Sequence, residues 1–472
     1  MKLNDISTPE KRLAAQTASH RLLRIGQSTL NRQGLEPKEQ HRTVWCGRSI
    51  KWGDYGTGEN GFVDVLRNPN RDGASFAGLN RCGCVHTCPI CSGKIGELRR
   101  KQLSAAAVRH CKDNGGAMYL MTFTFPHQAE FGDDSKERLD EAIKKLNKAR
   151  DIFKNSRTWK AFQNSAGNIQ VQRKNKKGEV EQIITVGAVT SLEFTISVEN
   201  GWHPHLHMLI FCKKKGFGDD EKTITEESGL YSIDDIACYM IEDLKQVWVK
   251  ALRKVGLGDQ SKITDMMRYA LNVRGGEFAA EYIAKMGREQ TIFVDSEGNR
   301  SRRWSLSREV ACTHSKKGAA GERWGVQHVT PFQLLAWCEK QKKETDKQRK
   351  ERCWAFHRFM DYAEAVQGKR ALTWTPGLKI ALGVEDVDEE NWLKSDTPLP
   401  EQIFVGRLTA AQFSILLARK KVPEFLEYVA TCCDTQEHLD EFIDSISALE
   451  SVASGGILVK RKSGRAFMDT TA

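Results

Sequence analysis

The spacing of apolar residues separates helix from strand along much of this chain. Ile95, Leu98, Ala105 and Val108 recur at helical intervals, and the pattern stops at Asn114-Gly115-Gly116. Met118-Tyr119-Leu120-Met121-Thr122-Phe123-Thr124-Phe125, closed by Pro126, is aromatic and threonine-rich and predicts a strand. Residues 136–153 carry Leu139, Ile143, Leu146 and Phe153 on one stripe with charges elsewhere, which predicts an amphipathic helix. The Lys-rich piece 165–180 reads as an exposed hairpin or insertion. Two β-rich runs, 183–198 and 203–211, flank Glu199-Asn200-Gly201-Trp202, and Asn-Gly between apolar runs is a hairpin signal. Helical patterns return at 232–255 and 276–288. The core 117–290 therefore combines a central antiparallel sheet with flanking helices, an α+β fold.

Around this core the pattern divides the chain further. Residues 1–80 are polar, with few periodic apolar runs, and read as a loosely built N-terminal region. Residues 81–116 hold a cysteine cluster and a basic helix, 291–384 a basic and helical extension, and 385–472 an acidic helical C-terminal module. The longest charge-free stretch, Asn114 to Ala129, is broken by Gly115, Gly116, Pro126 and His127 and falls short of the ~20 apolar residues of a membrane span. Met1 to Arg12 lacks the apolar segment of a secretory signal, so the expected location is the cytoplasm, with no membrane partner. Thirteen cysteines in a reducing compartment point to metal binding before disulfides. A net charge of +11 over 472 residues points to an anionic polymer as partner, although a solvated basic surface gives the same number.

The most informative run is His203-Pro204-His205-Leu206-His207-Met208-Leu209-Ile210-Phe211. Strand side chains alternate, so His203, His205 and His207 project one way, with His205 and His207 roughly 7 Å apart. Two imidazoles at that separation can close on one divalent ion. The plainer reading, three surface histidines on a polar strand, is weakened by the scarcity of histidine, 12 in the whole chain. Glu193, on the first strand of the hairpin, is the preferred third ligand, and its carboxylate would harden the site towards Mg²⁺ or Mn²⁺. A two-residue Asn200-Gly201 turn would pair Glu193 with Met208 on the wrong face, which a one-residue bulge would correct. His203 is the alternative ligand.

Farther on, Gly275-Gly276 opens a predicted helix in which Tyr282 and Lys285 are i,i+3 neighbours. A phenol with a pKa of about 10 is a poor nucleophile. A metal-held electrophile and a nearby lysine both ease its attack. Taken alone, Tyr-x-x-Lys is more often a packing tyrosine and a solvated lysine; its position after the histidine strand gives it weight.

Cys82-Gly83-Cys84-Val85-His86-Thr87-Cys88-Pro89-Ile90-Cys91 contains a Cys-Pro-x-Cys knuckle suited to a structural Zn²⁺, which takes four N or S ligands. The expected set is Cys82, Cys84, Cys88 and Cys91, with His86 and the distant Cys46 as alternatives. The basic helix that follows, with Arg99 and Arg100, and the segment Arg302-Arg303-Trp304 are candidates for phosphate contacts and base stacking.

Together these elements resemble the HUH endonucleases, specifically the rolling-circle replication initiator (Rep) proteins of plasmids. Leu120-Met121-Thr122-Phe123-Thr124-Phe125-Pro126 matches motif 1, Gly201-Trp202-His203-Pro204-His205-Leu206-His207 motif 2, and Tyr282-x-x-Lys285 motif 3. Thr330-Pro331-Phe332-Gln333-Leu334-Leu335 and Gly368-Lys369-Arg370-Ala371-Leu372-Thr373-Trp374 resemble the family's downstream region, so the likeness runs over about 82–382. It implies a ferredoxin/RRM-like nuclease domain in which a metal held by His205 and His207 polarises the scissile phosphate. Tyr282 attacks, leaving a 5′-phosphotyrosine and a 3′-OH primer; Lys285 orients the phosphate, and a second transesterification rejoins the displaced strand. The implied partners are single-stranded and hairpin origin DNA, a host DNA polymerase and, since no Gly-x-x-x-x-Gly-Lys-Ser/Thr loop occurs, a host helicase. Some members carry a glutamate one turn before the tyrosine as base for a terminating hydrolysis; here that place is Phe278, between Glu277 and Glu281. A second protomer's tyrosine could serve instead, which leaves a dimer open. Alternatives are an HUH single-strand transposase, a zinc-dependent hydrolase and a non-catalytic zinc DNA-binding protein. The continuation of the histidine run as a strand argues against the hydrolase.

Overall fold

The structure is a computed structural model that describes residues 8–51, 61–69, 73–113, 117–126, 135–165, 169–174, 178–185, 187–212, 238–275, 293–294, 300–301, 322–323, 326–394, 402–448, 458–460 and 466–468. The described residues divide into two compact units, the first drawn from Met1–Lys94, Cys338–Lys343 and Asp388–Ala472, the second from Ile95–Trp337 and Glu344–Val387.

The second unit is built on a five-stranded antiparallel sheet in the order Leu372–Trp374, Gly187–Ser197, Gly201–Cys212, Ala117–Phe123, Leu271–Gly275. The central pair is the expected hairpin, but its register differs from the expected one. Ser197 pairs with Gly201, so the loop has the three residues Val198, Glu199 and Asn200, and Glu193 lies opposite His205 rather than Met208. Gly201 sits at φ 64°, a left-handed value natural to glycine at the end of a three-residue hairpin loop. The loop moves the partner of Glu193 by three positions, an odd number that brings the carboxylate to the face of the histidines.

One face of this sheet is mainly apolar and lies under the helices Ser135–Lys154, Cys238–Lys254 and Asp346–Ala365. Phe123 meets Phe153 at 5.1 Å and Trp248 at 4.9 Å, while Phe194 and Trp202 each meet Tyr362 at 5.1 Å. Burying each such ring contributes about 1.5–3 kcal/mol, which makes this face the rigid support of the sheet. The opposite face changes character along its length. Met118, Leu120, Val189, Leu209 and Phe211 pack against Leu103, Ala106 and Ala107 of the helix Pro89–Val108. Beyond that apolar half the same alternation brings up Thr122, Glu193, His205 and His207. The Lys-rich insertion is a hairpin, Ile169–Lys174 paired with Val180–Thr185.

In the first unit, Phe62–Asn68 pairs with Gly73–Ala77 on one side and with Ile403–Thr409 on the other. Its core joins Val63, Val65 and Phe76 to Leu408, Phe413, Phe425 and Leu439. The first and last stretches of the chain thus share one sheet. The N-terminal stretch is also more ordered than its sequence suggests, because it contains the 22-residue helix Pro9–Leu30. Its buried residues include Gly26, Gln27 and Thr29, so the buried stripe is not an apolar stripe and periodicity misses it. Among the described residues no helix is long and apolar enough to cross a membrane.

Candidate functional site

The polar half of the second unit's sheet holds Glu193, His205 and His207, whose ligand atoms lie within 4.8 Å of one another. The backbone fixes all three. Glu193 and His205 are direct cross-strand partners, and His207 follows two residues on, on the same face. The strand of Glu193 is held on its outer side as well. Leu192 N donates to Ala371 O at 3.0 Å, and Ile196 exchanges two bonds of 2.9 Å with Val329. The downstream segments that resemble the family therefore brace the carboxylate strand, a role that the sequence did not reveal.

Glu193 Oε2 is 2.8 Å from His205 Nε2 and 3.0 Å from His207 Nε2. The other ring nitrogens determine what this means. His205 Nδ1 faces the carbonyl oxygen of His203 at 3.4 Å, and a carbonyl only accepts, so Nδ1 carries the proton. His207 Nδ1 lies 3.0 Å from the Thr122 hydroxyl, which can either accept from it or donate to it. In the neutral ring His205 Nε2 then presents a lone pair to the carboxylate. Acceptors so close require a cation, either a second proton on an imidazole or a metal ion.

The donor set fits a divalent ion. Two ligand atoms at right angles around an ion with bonds of ~2.1 Å stand about 3.0 Å apart, as these do. Two imidazoles favour a transition ion such as Mn²⁺ over Mg²⁺, which prefers oxygen throughout. The Ser191 hydroxyl, opposite His207 in the register and fully buried, has no hydrogen-bond partner among the described residues. A polar atom left over beside the histidines suits a site completed by an ion and its water.

His203 stands outside the group of Glu193, His205 and His207. Its Nε2 is turned to the Phe125 carbonyl at 2.8 Å and the Thr124 hydroxyl at 2.9 Å, and its ring stacks on that of His205 at 5.9 Å. Thr122 and Thr124 were legible only as strand formers. Their alternation matches that of the histidines, and this was the available signal.

In the first unit four buried cysteines, Cys46, Cys82, Cys88 and Cys91, converge. Cys46 takes the place that the sequence gave to Cys84. The short helix Arg42–Trp45 and the bond from Gln27 Nε2 to Cys46 O deliver it, whereas Cys84 directs its sulfur to the Cys82 carbonyl at 3.6 Å. His86 is buried but is not in the group. Sulfur separations of 3.5 Å for Cys46–Cys91 and Cys46–Cys88 and 3.6 Å for Cys82–Cys91 are far longer than the ~2.05 Å of a disulfide. They approach the ~3.8 Å edge of a tetrahedron with Zn–S bonds of about 2.3 Å. Thiol donors from Cys82, Cys88 and Cys91 hold the Cys46 thiol well below its usual range, while burial pushes Cys88 well above it. The Cys84 and Cys91 amides donate to Cys82 and Cys88 sulfurs, both at 3.4 Å, as they would around thiolates.

The basic helix departs from expectation. Arg99 is only 6 % exposed, so it is not available to a phosphate outside, and Arg100 is paired with Glu97 at 2.7 Å. Tyr282, Lys285, Arg302, Arg303 and Trp304 lie outside the described residues.

Comparison with known proteins adds independent information. The chain is 28% identical over 338 residues to "Protein rep" of Streptomyces lividans, a match covering 66% of each protein. It is 30% identical over 163 residues to a "Neomycin resistance protein" of Streptomyces cyanogenus, covering 32% of this chain and 36% of that one. The chain thus spans just under two thirds of the length of the first relative and about a third of the second. No family model and no solved structure matches. The longer match agrees with the motifs: this chain is similar to a protein named as a Rep protein.

Proposed function

We propose that this protein initiates rolling-circle plasmid replication by nicking one strand of its origin through a tyrosine transesterification. The observation that carries the reading is the convergence of Glu193, His205 and His207 on one sheet face, with their ligand atoms within 4.8 Å of one another. Glu193, His205 and His207 would hold a divalent ion, whose chemistry is to act as a Lewis acid on a phosphoryl oxygen. His203 and Thr122 keep the two imidazoles in the tautomer that binds. Tyr282 is the nucleophile: its oxygen bonds to phosphorus, the bond from phosphorus to the 3′ oxygen breaks, and the leaving oxygen takes up a proton as the 3′-OH. Lys285 favours the phenolate and orients the phosphate.

The chain's reach permits this. Gly275, the last residue of the edge strand, pairs with Tyr119, three positions (~10 Å) from Thr122. Seven residues, the step in number from 275 to 282, can span up to about 23 Å, more than that distance. Arg302, Arg303 and Trp304 would contact and stack on the single strand, and the four-cysteine group would hold a structural Zn²⁺. DNA at the origin, a host helicase and a polymerase are the partners of this reading.

The test is incubation with a labelled single-stranded origin oligonucleotide and Mn²⁺, followed by mass mapping of the DNA-linked peptide. The expected adduct is on Tyr282 and disappears in Tyr282→Phe while DNA binding persists. An undiminished adduct in that variant would move the nucleophile elsewhere, with Tyr269 next to examine.

A further inference from the structure

The edge of the second unit's sheet next to Glu193 carries a cation that nothing above has used. Leu372 pairs with Ser191, Thr373 with Thr190 and Trp374 with Val189, and the pairing extends back to Ala371, whose carbonyl accepts from Leu192 N at 3.0 Å. One more step in this register puts Arg370 opposite Glu193, in the row that continues to His205. Lys369 reaches Asp140 on the helix Ser135–Lys154 at 2.7 Å, and that helix covers the apolar face. Ala371 is buried on that same side, paired with Leu192. Leu372 lies opposite Ser191 and so on the face of the histidines, and Arg370, two positions before it, is assigned to that face by continuing the register. It is exposed, and among the described residues it forms no hydrogen bond or ion pair.

We propose that Arg370 is a phosphate-binding residue of the Glu193–His205–His207 site, gripping a non-bridging oxygen of the DNA backbone where the strand crosses the sheet. The proposal rests on the nucleic-acid reading of the site given above. A guanidinium is a planar fork that matches two phosphate oxygens at once, and it is always charged. Glu193 lowers the charge of the metal-binding face by one, and a cation in the next strand restores it where an anionic strand must approach. The phosphate also gains negative charge as the nucleophile adds, so a donor fixed by the sheet is worth more at that moment than before it.

The experiment measures binding and nicking separately. Binding of a single-stranded origin oligonucleotide is followed across a range of salt concentrations for the full chain carrying Tyr282→Phe, with and without Arg370→Ala or Arg370→Lys. Arg370→Ala should weaken binding roughly ten-fold and make the salt dependence shallower by about 0.7 in log–log slope, the value of one lost contact on a single strand. Arg370→Lys should keep the slope and recover part of the affinity. Lys347→Ala, on a fully solvated stretch of helix, serves as the control and should change neither. Unchanged affinity and slope in Arg370→Ala overturn the proposal. In the chain with Tyr282 intact, Arg370→Ala should lower the nicking rate at saturating DNA at least ten-fold. If the binding effect appears while the unaltered chain never nicks, the nuclease reading fails and the phosphate contact stands.

Discussion

His205 and Glu193 face each other across the central strand pair with 2.8 Å between Nε2 and Oε2, the carboxylate buried and the imidazole half-buried. The three-residue loop that closes the hairpin sets this relationship, because any loop of even length would send the carboxylate to the apolar face. There it would meet the side of Leu206 and Phe194, where an unpaired carboxylate costs several kcal/mol. The register is therefore specified twice, by the glycine that turns the chain and by the penalty for the alternative.

Glu193→Gln keeps the volume and removes the charge. Outer groups around a metal typically change its affinity by ~10–100-fold, so loss of the ligand itself should exceed ~100-fold. Titration calorimetry with Mn²⁺ on the purified protein reads this directly. Binding within a few-fold of the unaltered protein would mean that the carboxylate only balances imidazolium charge.

Thr122 tests the tautomer argument without touching a ligand. Thr122→Val preserves the β-branched shape and the strand, but leaves His207 Nδ1 without its 3.0 Å partner. Mn²⁺ affinity should fall ~10–100-fold, while Thr122→Ser, which keeps the hydroxyl, should bind as the unaltered protein does. A valine variant that binds normally would show that the ring is held by packing alone.

These residues also show what a sequence can and cannot reveal. The alternation of His203, His205 and His207 was legible because a strand has a period of two, and both strands of the hairpin follow from the same pattern. Glu193 was singled out by its chemistry, yet its expected partner was three positions away because Asn-Gly was taken as the whole turn. Thr122 and Thr124 were hidden inside an apolar run, since their role depends on which strand lies beside them. Cys46 was hidden by distance along the chain, which carries no information about which loop meets the knuckle. The burial of Arg99 was not legible, because charge on a helix predicts exposure only on average.

Cys46 and Cys84 give a prediction with opposite outcomes. Cys46→Ser removes one of four converging sulfurs, and bound zinc should fall by one equivalent in elemental analysis, with a lower unfolding temperature. Cys84→Ser removes a sulfur that faces a backbone carbonyl, so zinc content should be unchanged. The reverse result would return Cys84 to the ligand set.

His41 makes the stability of the first unit depend on pH. Its Nδ1 accepts the Thr43 N–H at 3.2 Å and so caps the short helix Arg42–Trp45, which delivers Cys46. Burial, aided by the charges of Arg32 and Arg42, holds its pKa down to about 4. In the unfolded chain it titrates near 6.5, so between about pH 6.5 and 4 the unfolded state takes up a proton that the folded state refuses. Stability from this group is complete above that window, falls as pH drops through it, and levels off below about 4. Between pH 7.5 and 5 the loss amounts to about 2 kcal/mol. His41→Asn keeps an acceptor for the Thr43 amide but has no proton to gain, so urea unfolding of the variant should lose about that much less over the same interval. His20, also held down to about 4, is present in both proteins and does not affect the difference. Equal losses in the two proteins would place the proton uptake on other groups.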